Sequence, residues 1–559
     1  MLSNPNCWEG YLPLSVDGCT RSGDDDRDHN GVGLGSMAGS GVAAWRGPAW
    51  PGAEAGVAAW RFDREIGIVT AGTGGFRSSD EYRDDGVMTK RVYIETVGCQ
   101  MNVLDSEMVI ADLRRHGYDV VDSPKLADTV LYNTCSVREH AEEKVYSALG
   151  KVRQIKDRTP GMTVGVMGCM AQKDQQIVFD RAPYVDLVVG PGQLHQIPTL
   201  LDKVRRGEGR QMAVSLARND GTQDSIRRSH ETFDPLRDPT MRPTPFQAYL
   251  RIQIGCDKFC TYCIVPMTRG PEQGRSPGEI VAEARTLAEQ GCKEITLLGQ
   301  TVNSYRHVED GKTTRLADLL AELHEIDGLQ RLKFVTSYPK DMTADLLRTI
   351  RDLPKCSPYL HVPAQSGDDE VLRRMKRGYT VGEYLEMMER IETILPQATV
   401  SSDFIVGFSG ETEEQFQASV RLVERCRFKN SFIFQYSVRP GTKAAERLPD
   451  DIPREVKARR NQELLAAQDA ISLVDQQSLI GRTFDVLVEG PSKKAIQRGE
   501  TAELVQMTGR THCDRIVVFD GNRRQAGETL PIRIDDASSH TLIGRVRTVE
   551  LVSIGAPRT

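Results

Sequence analysis

Three cysteines, Cys256, Cys260 and Cys263, lie within the stretch GCDKFCTYCIVP (255–266), and steps of four and three residues confine them to one tight loop around one centre. Three thiolates are one short of what a four-iron cube takes, so one iron is left for a substrate or cofactor. The competing reading is a zinc knuckle, because closely spaced intracellular cysteines often bind zinc. A closed zinc site needs a fourth ligand, commonly from a second Cys or His pair, and downstream histidines such as His307 and His361 stand alone. An iron–sulfur loop is the expectation.

The 559 residues allow three or four domains and a large core. Twelve cysteines in that length are too few for a secreted disulfide framework. With no apolar run long enough to cross a bilayer, the reading is a cytoplasmic protein with no membrane partner. Net charge is −6, but residues 1–87 hold 13 acidic and 7 basic side chains, which leaves the remainder with 65 of each sign. Any nucleic-acid site must then be a local patch rather than a whole-molecule field.

Residues 1–87 also hold 16 of the 49 glycines, all four tryptophans, no lysine, and the repeat GVAAWR at 41–46 and 56–61. Such a segment buries too little apolar area to offset chain entropy, so disorder is expected. A start codon placed too early, with Met88 as the first residue, is one explanation and an interaction tail the other.

Regular patterning begins at Met88. Strands are predicted at 91–96, 128–133 and 163–168, with helices over 103–115 and 137–149, which is an α/β unit spanning 88–205. Each strand runs into a cysteine: Cys99, Cys135 and Cys169, flanked by Gly98, Asn133 and Gly168. Parallel strands share one carboxyl edge where ligands bind, so three cysteines far apart in sequence can meet there as a second three-thiolate set. Residues 206–245 read as a polar linker. Six strand candidates follow, at 248–253, 294–298, 331–336, 359–362, 399–405 and 432–436, alternating with amphipathic helices such as 279–290 and 413–424. They predict an incomplete (βα)6 parallel barrel over 246–475, with the cysteine loop just after its first strand, at the end where barrel chemistry sits. A charged helix over 453–475 leads into short β-rich runs over 476–553 (FDVLVEG, AELVQMTG, RIVVFDG, LPIRI, RTVELVS), a small closed barrel in which Lys493, Lys494, Arg498, Arg510 and Arg515 are candidate RNA contacts.

Several motifs together resemble the radical S-adenosylmethionine (SAM) methylthiotransferases of the MiaB type over nearly all of 88–552. YIETVGCQMN (93–102), YNTCSVRE (132–139) and GVMGCMAQ (165–172) resemble that family's cluster-binding N-terminal domain. GCDKFCTYCIVP and RGPE (269–272) resemble its radical SAM loop. LLGQTVNSY (297–305), HVPAQSGDD (361–369), RRMKRGYT (373–380), DFIVGFSGET (403–412) and YSVRPGTKAA (436–445) follow in the family's order, and the β-rich end resembles its TRAM module. Thr301, Gly274 and Ser409 depart from the usual spelling.

The resemblance implies two 4Fe-4S clusters, one on Cys256, Cys260 and Cys263 and an auxiliary one on Cys99, Cys135 and Cys169. It also implies SAM held beside Tyr262, Gly299 and Gln300, and contact with SAM or a plain tight turn at GFSG. For RRMKRGYT it leaves a solvated helix end or a phosphate contact. The implied activity is addition of a methylthio group to carbon 2 of N6-isopentenyladenosine next to the anticodon (position 37) of tRNA, using two SAM molecules. Implied partners are the tRNA anticodon loop, an electron donor such as flavodoxin or ferredoxin, and sulfur or iron–sulfur delivery proteins, with the enzyme a monomer. Sister enzymes act on a ribosomal-protein aspartate or on threonylcarbamoyl-adenosine in tRNA; GCQMN around Cys99 resembles the isopentenyladenosine branch. Cys7, Cys19, Cys292, Cys356, Cys426 and Cys513 match no cluster motif.

Overall fold

The computed structural model describes residues 58–63, 68–73, 90–136, 139–215, 237, 239–242 and 244–547. Strands β1 (Ala58–Asp63), β2 (Ile68–Thr73), β3 (Lys90–Val97), β4 (Tyr118–Val120), β5 (Thr129–Thr134), β6 (Thr163–Gly168), β7 (Leu187–Val189) and β8 (Gln211–Ala213) form one sheet in the order β1-β2-β3-β5-β6-β7-β8, with β4 also against β3. From β3 to β8 the pairing is parallel. β3 apart from its first two residues, and all of β5 and β6, are buried, as a parallel sheet covered on both faces requires. Alternation sorts the faces: Val92, Ile94 and Leu131 pack under helix α1 (Gln100–Arg115), whereas Tyr93, Val130 and Tyr132 pack under α2 (Glu139–Lys156).

Two expectations change here. Residues 1–87 are predicted to lack order, yet β1 and β2 pair antiparallel and β2 continues onto β3. The exposed edge of β3 offers unpaired N–H and C=O groups that an extended segment satisfies; the rest of that range lies outside the described residues. The linker expected over 206–245 also begins inside the sheet, because β8 pairs with β7. Two of its arginines are not solvated: Arg237 and Arg242 are 2% and 1% exposed, and Arg237 donates to Glu107 at 2.6 Å and Glu283 at 2.7 Å.

The central unit contains β9 (Gln247–Arg251), β10 (Gln253–Ile254), β11 (Gln273–Gly274), β12 (Glu294–Leu298), β13 (Arg306–Glu309), β14 (Lys312–Arg315), β15 (Arg331–Phe334), β16 (Tyr359–His361), β17 (Thr399–Val406) and β18 (Asn430–Gln435). The six long-range strands occur where the alternation predicts them. They form two parallel three-stranded sheets, β9-β12-β15 and β16-β17-β18, joined edge to edge by a bridge between Leu332 and Cys356 and by the Ser337 N–H donating to the His361 carbonyl at 3.0 Å. This is the open barrel expected. Thirteen of the sixteen residues of α1 are buried, because its second face (Met101, Leu104, Met108) packs on Leu298, Val335 and Tyr359 of the central unit. The N-terminal domain is thereby seated on the barrel.

At the C-terminus, β19 (Thr483–Pro491), β20 (Leu504–Thr511), β21 (Ile516–Asn522), β22 (Thr529–Ala537) and β23 (Thr541–Val546) close a five-stranded barrel over Val486, Met507, Phe519 and Ile532. The last strand differs from expectation: it is TLIGRV, and the predicted RTVELVS lies outside the described residues apart from Arg547. The β20–β21 turn meets the starts of the central strands. There Asp514 accepts from Lys333 and Arg510, both at 3.1 Å, and from Lys429 at 3.2 Å, while Thr399 donates to the Cys513 carbonyl at 2.7 Å. Arg510 is thus spent on a buried ion cluster rather than left for RNA, and Arg515 donates to Gln476 at 3.1 Å. Among the described residues no helix is long and apolar enough to cross a membrane.

Candidate functional site

The carboxyl ends of the central strands open on a cleft lined by Cys256, Cys260, Tyr262, Cys263, Gln300 and Gln365, among others. The loop that brings the cysteines there starts at Gly255, whose φ is +79° and whose added Cβ would lie 1.8 Å from the Pro271 carbonyl oxygen. Only glycine fits that turn. Cys256 N–H then donates to the Gly270 carbonyl at 3.2 Å and Cys263 N–H to the Cys260 carbonyl at 3.1 Å. Thr261 clamps the loop from outside, donating its N–H to the Met375 carbonyl at 3.0 Å and its hydroxyl to the Arg374 carbonyl at 2.8 Å. RRMKRGYT is therefore more than a solvated helix end. Arg377 lines the cleft, donates to Tyr379 Oη at 2.9 Å and reaches Cys260 Sγ at 3.4 Å.

Tyr262 borders the cleft with its ring 6% exposed and edge-on to Phe408 at 6.2 Å. Phe408 is the only residue of GFSG to reach the site, and it does so from behind Tyr262. The rest of that motif is a tight turn: Gly407 and Gly410 have φ near +70°, and Gly407 N–H is held by Glu411 at 2.6 Å. Gly299 accepts from the Thr336 hydroxyl at 2.8 Å, and Gln300 points both amide atoms into the interior with no partner among the described residues. Gln365 and Ser337, also at the cleft, likewise have buried, unpartnered side-chain atoms. Such groups are costly to bury unmet, so the cleft is built for a polar guest. Thr336 (φ +64°) and Gln365 (φ +72°) hold left-handed backbone at its edge, strain of the kind that persists at ligand sites. The HVPAQSGDD motif contains Gln365, but sequence alone gives that residue no role. Ser337 carries no sequence signal at all.

The second set forms where β3, β5 and β6 end side by side. Register aligns Val97 with Thr134 and Thr134 with Gly168, so Cys99 follows this row by two residues and Cys135 and Cys169 by one. The flanking residues are explained by an asparagine lock: Asn102 donates to Asn133 Oδ1 at 3.0 Å, and Asn133 donates back to the Asn102 carbonyl at 2.7 Å. A Cβ on Gly98 would strike Asn102 Oδ1, and one on Gly168 would strike Asn133 Oδ1, each at 2.4 Å. All three cysteines are 5% exposed or less. From the central unit, Arg269 of RGPE donates to Cys169 Sγ at 3.2 Å and to Asp105 at 2.6 Å. The sequence reading gives Arg269 no role.

Electrostatics favour the neutral thiol at Cys99, Cys169, Cys256 and Cys263 in the protein alone. Burial pushes the Cys256 thiol up to about 12 and raises Cys263 and Cys169. Cys99 is raised first by its hydrogen bond with Cys135 and then by burial. Arg269 opposes the rise at Cys169 and Cys99, as Arg377 does at Cys263. Metal binding must therefore displace protons. Among the described residues no three Cys, His, Asp or Glu side chains gather round a single-ion site. Three thiols apiece are donors of the kind that a four-iron cluster with one open iron takes. Unpartnered amides beside the first set fit a SAM-like guest.

Three family models match the chain: Uncharacterized protein family UPF0004 over residues 91–190, the Radical SAM superfamily over 250–423, and the TRAM domain over 477–546. A tRNA-2-methylthio-N(6)-dimethylallyladenosine synthase of Rhodopirellula baltica is 75% identical over 84% of this chain and 98% of its own length. The protein of that name from Bordetella pertussis is 42% identical over 83% of this chain and 100% of its own. A solved radical SAM methyltransferase, TsrM from Kitasatospora setae, aligns at 14% identity and a TM-score of 0.46, covering 64% of this chain and 77% of its own, which is too distant to bear on the site.

Proposed function

The chain belongs to the family of tRNA-2-methylthio-N(6)-dimethylallyladenosine synthases, and from that membership we propose that it adds a methylthio group to carbon 2 of N6-isopentenyladenosine at position 37 of tRNA, consuming two SAM molecules. The observation that carries the reading is the pair of three-thiol sets, one opening on a cleft with unmet amides and the other sealed beneath it. Cys256, Cys260 and Cys263 hold one 4Fe-4S cluster; Cys99, Cys135 and Cys169 hold the other. When bound, these clusters and SAM supply radical C–H activation and the sulfur.

The protein's own contribution is placement and exclusion of water. Gln300, Gln365 and Ser337 meet the polar groups of SAM, while Tyr262, fixed by Phe408, packs beside its adenine. Arg377 holds Cys260 and one wall of the cleft. Target adenosine comes from an exposed anticodon loop, where a base can be splayed out without melting a helix. At the C-terminal barrel the face for RNA is the short helix Lys493–Gln497 and its end, where Lys494 and Arg498 are exposed beside Ile496. A cytoplasmic electron donor and a sulfur or iron–sulfur delivery protein complete the cycle.

The test is anaerobic reconstitution with iron and sulfide, then incubation with SAM, reductant and isopentenylated tRNA, read by nucleoside mass spectrometry. Methylthiolated nucleoside is the expected product. Its absence, with product on a ribosomal-protein peptide instead, overturns the assignment of substrate.

A further inference from the structure

Arg269 stands between the two cysteine sets. It is 4% exposed; Nε donates to Cys169 Sγ at 3.2 Å, Nη2 to Asp105 at 2.6 Å, and Nη1 is buried without a partner among the described residues. Asp105 is 0% exposed, and its Oδ1 also lacks a hydrogen bond among the described residues. The arginine belongs to the central unit, whereas its sulfur partner opens α3 (Cys169–Asp174) of the N-terminal sheet domain. One continuous stretch connects the sites: the helix Val265–Thr268 follows Cys263, Arg269 N–H closes on the Val265 carbonyl at 2.8 Å, and the next residue, Gly270, accepts from Cys256 N–H.

A buried ion pair that merely glued two domains would need no sulfur. A cation donating to a ligand sulfur does more: it favours the more negative state of whatever the sulfur binds, and the dry surroundings strengthen that effect. Reduction by one electron makes a cluster more negative. We propose that Arg269 is a positioning residue of the second triad whose charge raises the reduction potential of the cluster bound there, and that Asp105, by partly neutralising it, sets how far. The auxiliary site is then completed by a residue of the other domain. This rests on the auxiliary cluster of the proposed function.

The test uses the full chain with Cys256, Cys260 and Cys263 all changed to Ala, reconstituted so that only the auxiliary cluster forms, and titrated with dithionite as the electron source under paramagnetic resonance. Arg269→Gln is expected to make reduction at least tenfold less favourable, about 59 mV for a one-electron couple, with four irons retained. Arg269→Lys should stay closer to the parent, and Asp105→Asn should shift the potential upward. Equal potentials in Arg269→Gln and the parent overturn the proposal, as does a shift in Arg269→Lys as large as that of Arg269→Gln. Should Arg269→Gln lose its iron, Asp105→Asn decides: an upward shift supports the proposal, and no shift or a downward one overturns it. A parent chain that binds no iron would instead sink the auxiliary cluster itself.

Discussion

The two cysteine sets solve one problem in opposite ways. Cys256, Cys260 and Cys263 sit within eight residues of one loop, partly exposed at a cleft mouth, whereas Cys99, Cys135 and Cys169 come from three strands and are sealed between a sheet and the central barrel. The loop-borne set depends on local turns and on clamps such as Thr261. The strand-borne set depends on β-register, since a slip of one residue would turn a cysteine to the other face of the sheet. Both nevertheless share two devices: a positive-φ glycine directly before a cysteine (Gly255, Gly168), and an arginine brought from elsewhere to a sulfur (Arg377, Arg269). Under the proposed function, openness falls to the set that meets SAM and closure to the set that supplies the sulfur.

The sharpest break in that division is to remove one ligand from each set. Cys260→Ala should abolish SAM cleavage and methylthiolation together. Cys135→Ala should leave SAM cleavage intact and abolish sulfur insertion, measured as 5′-deoxyadenosine without thiomethyl nucleoside. A Cys135→Ala enzyme that still inserts sulfur would contradict the role assigned to the strand-borne set. Next come the glycines. An alanine at a left-handed position costs about 1–2 kcal/mol, and the overlaps that its Cβ would make at Gly255 and Gly168 add packing strain of about 1–3 kcal/mol. Gly255→Ala should lose about half the iron along with SAM cleavage; Gly168→Ala should lose about half the iron and keep SAM cleavage. Identical phenotypes would mean that the two sets fold as one unit.

Thiol reactivity measures the same contrast on a smaller scale. In the cluster-free protein the Cys256 thiol, pushed up to about 12 from an ordinary 9.0, exposes far less thiolate at neutral pH. Greater intrinsic nucleophilicity offsets part of this, so alkylation should run roughly 50-fold slower than for an ordinary cysteine. Its rate should climb about tenfold per pH unit up to the raised value, because the reactive form is the deprotonated one. Cys99 and Cys169, raised and fully buried, should lag further behind. Alkylation of Cys256 at an ordinary rate at pH 7 would show that the loop is open to solvent before the cluster binds.

Sequence reveals these two sets unequally, and the reason is range. A loop whose ligands fall within eight residues can be read by spacing alone, and the six barrel strands can be read from alternation because each is flanked by a regular helix. The strand-borne set is legible only because each strand happens to run into a cysteine; that the strands adjoin, in matching register, is a tertiary fact. Charge misleads most. Arg510 reads as an RNA contact, Arg237 falls in the polar linker and Arg269 has no role assigned, yet each is buried against a carboxylate, a distant one for Arg237 and Arg269 and one four residues on for Arg510, and nothing local to an arginine tells which fate it meets. The edge-pairing of β1 and β2 escapes the sequence for a related reason: a glycine-rich segment promises little burial of its own, and the open edge of β3 that it can satisfy is not visible from within it.

The smallest predicted effect concerns the unpartnered amides beside the open set. One hydrogen bond to a charged group is worth about 1.5–3 kcal/mol, so Gln300→Ala should raise the KM for SAM at least about tenfold while leaving all the iron in place. Gln365 allows a stricter version, because two of its properties can be pulled apart. Its backbone is left-handed, φ +72°, which glycine adopts without strain, and its amide atoms are buried without partners among the described residues. Gln365→Gly removes both the strain and the amide. Relief of the backbone, less the greater freedom glycine gives the unfolded chain, should leave the fold stable to within about 1 kcal/mol or slightly better, yet SAM should bind more weakly by a similar factor to Gln300→Ala. A residue that served only to shape the turn would gain stability and keep its KM; one that served only the core would lose stability. A rise in KM at unchanged or improved thermal stability is the combination that separates a strained ligand contact from either, and its absence would move Gln365 from the cofactor's wall to the barrel's frame.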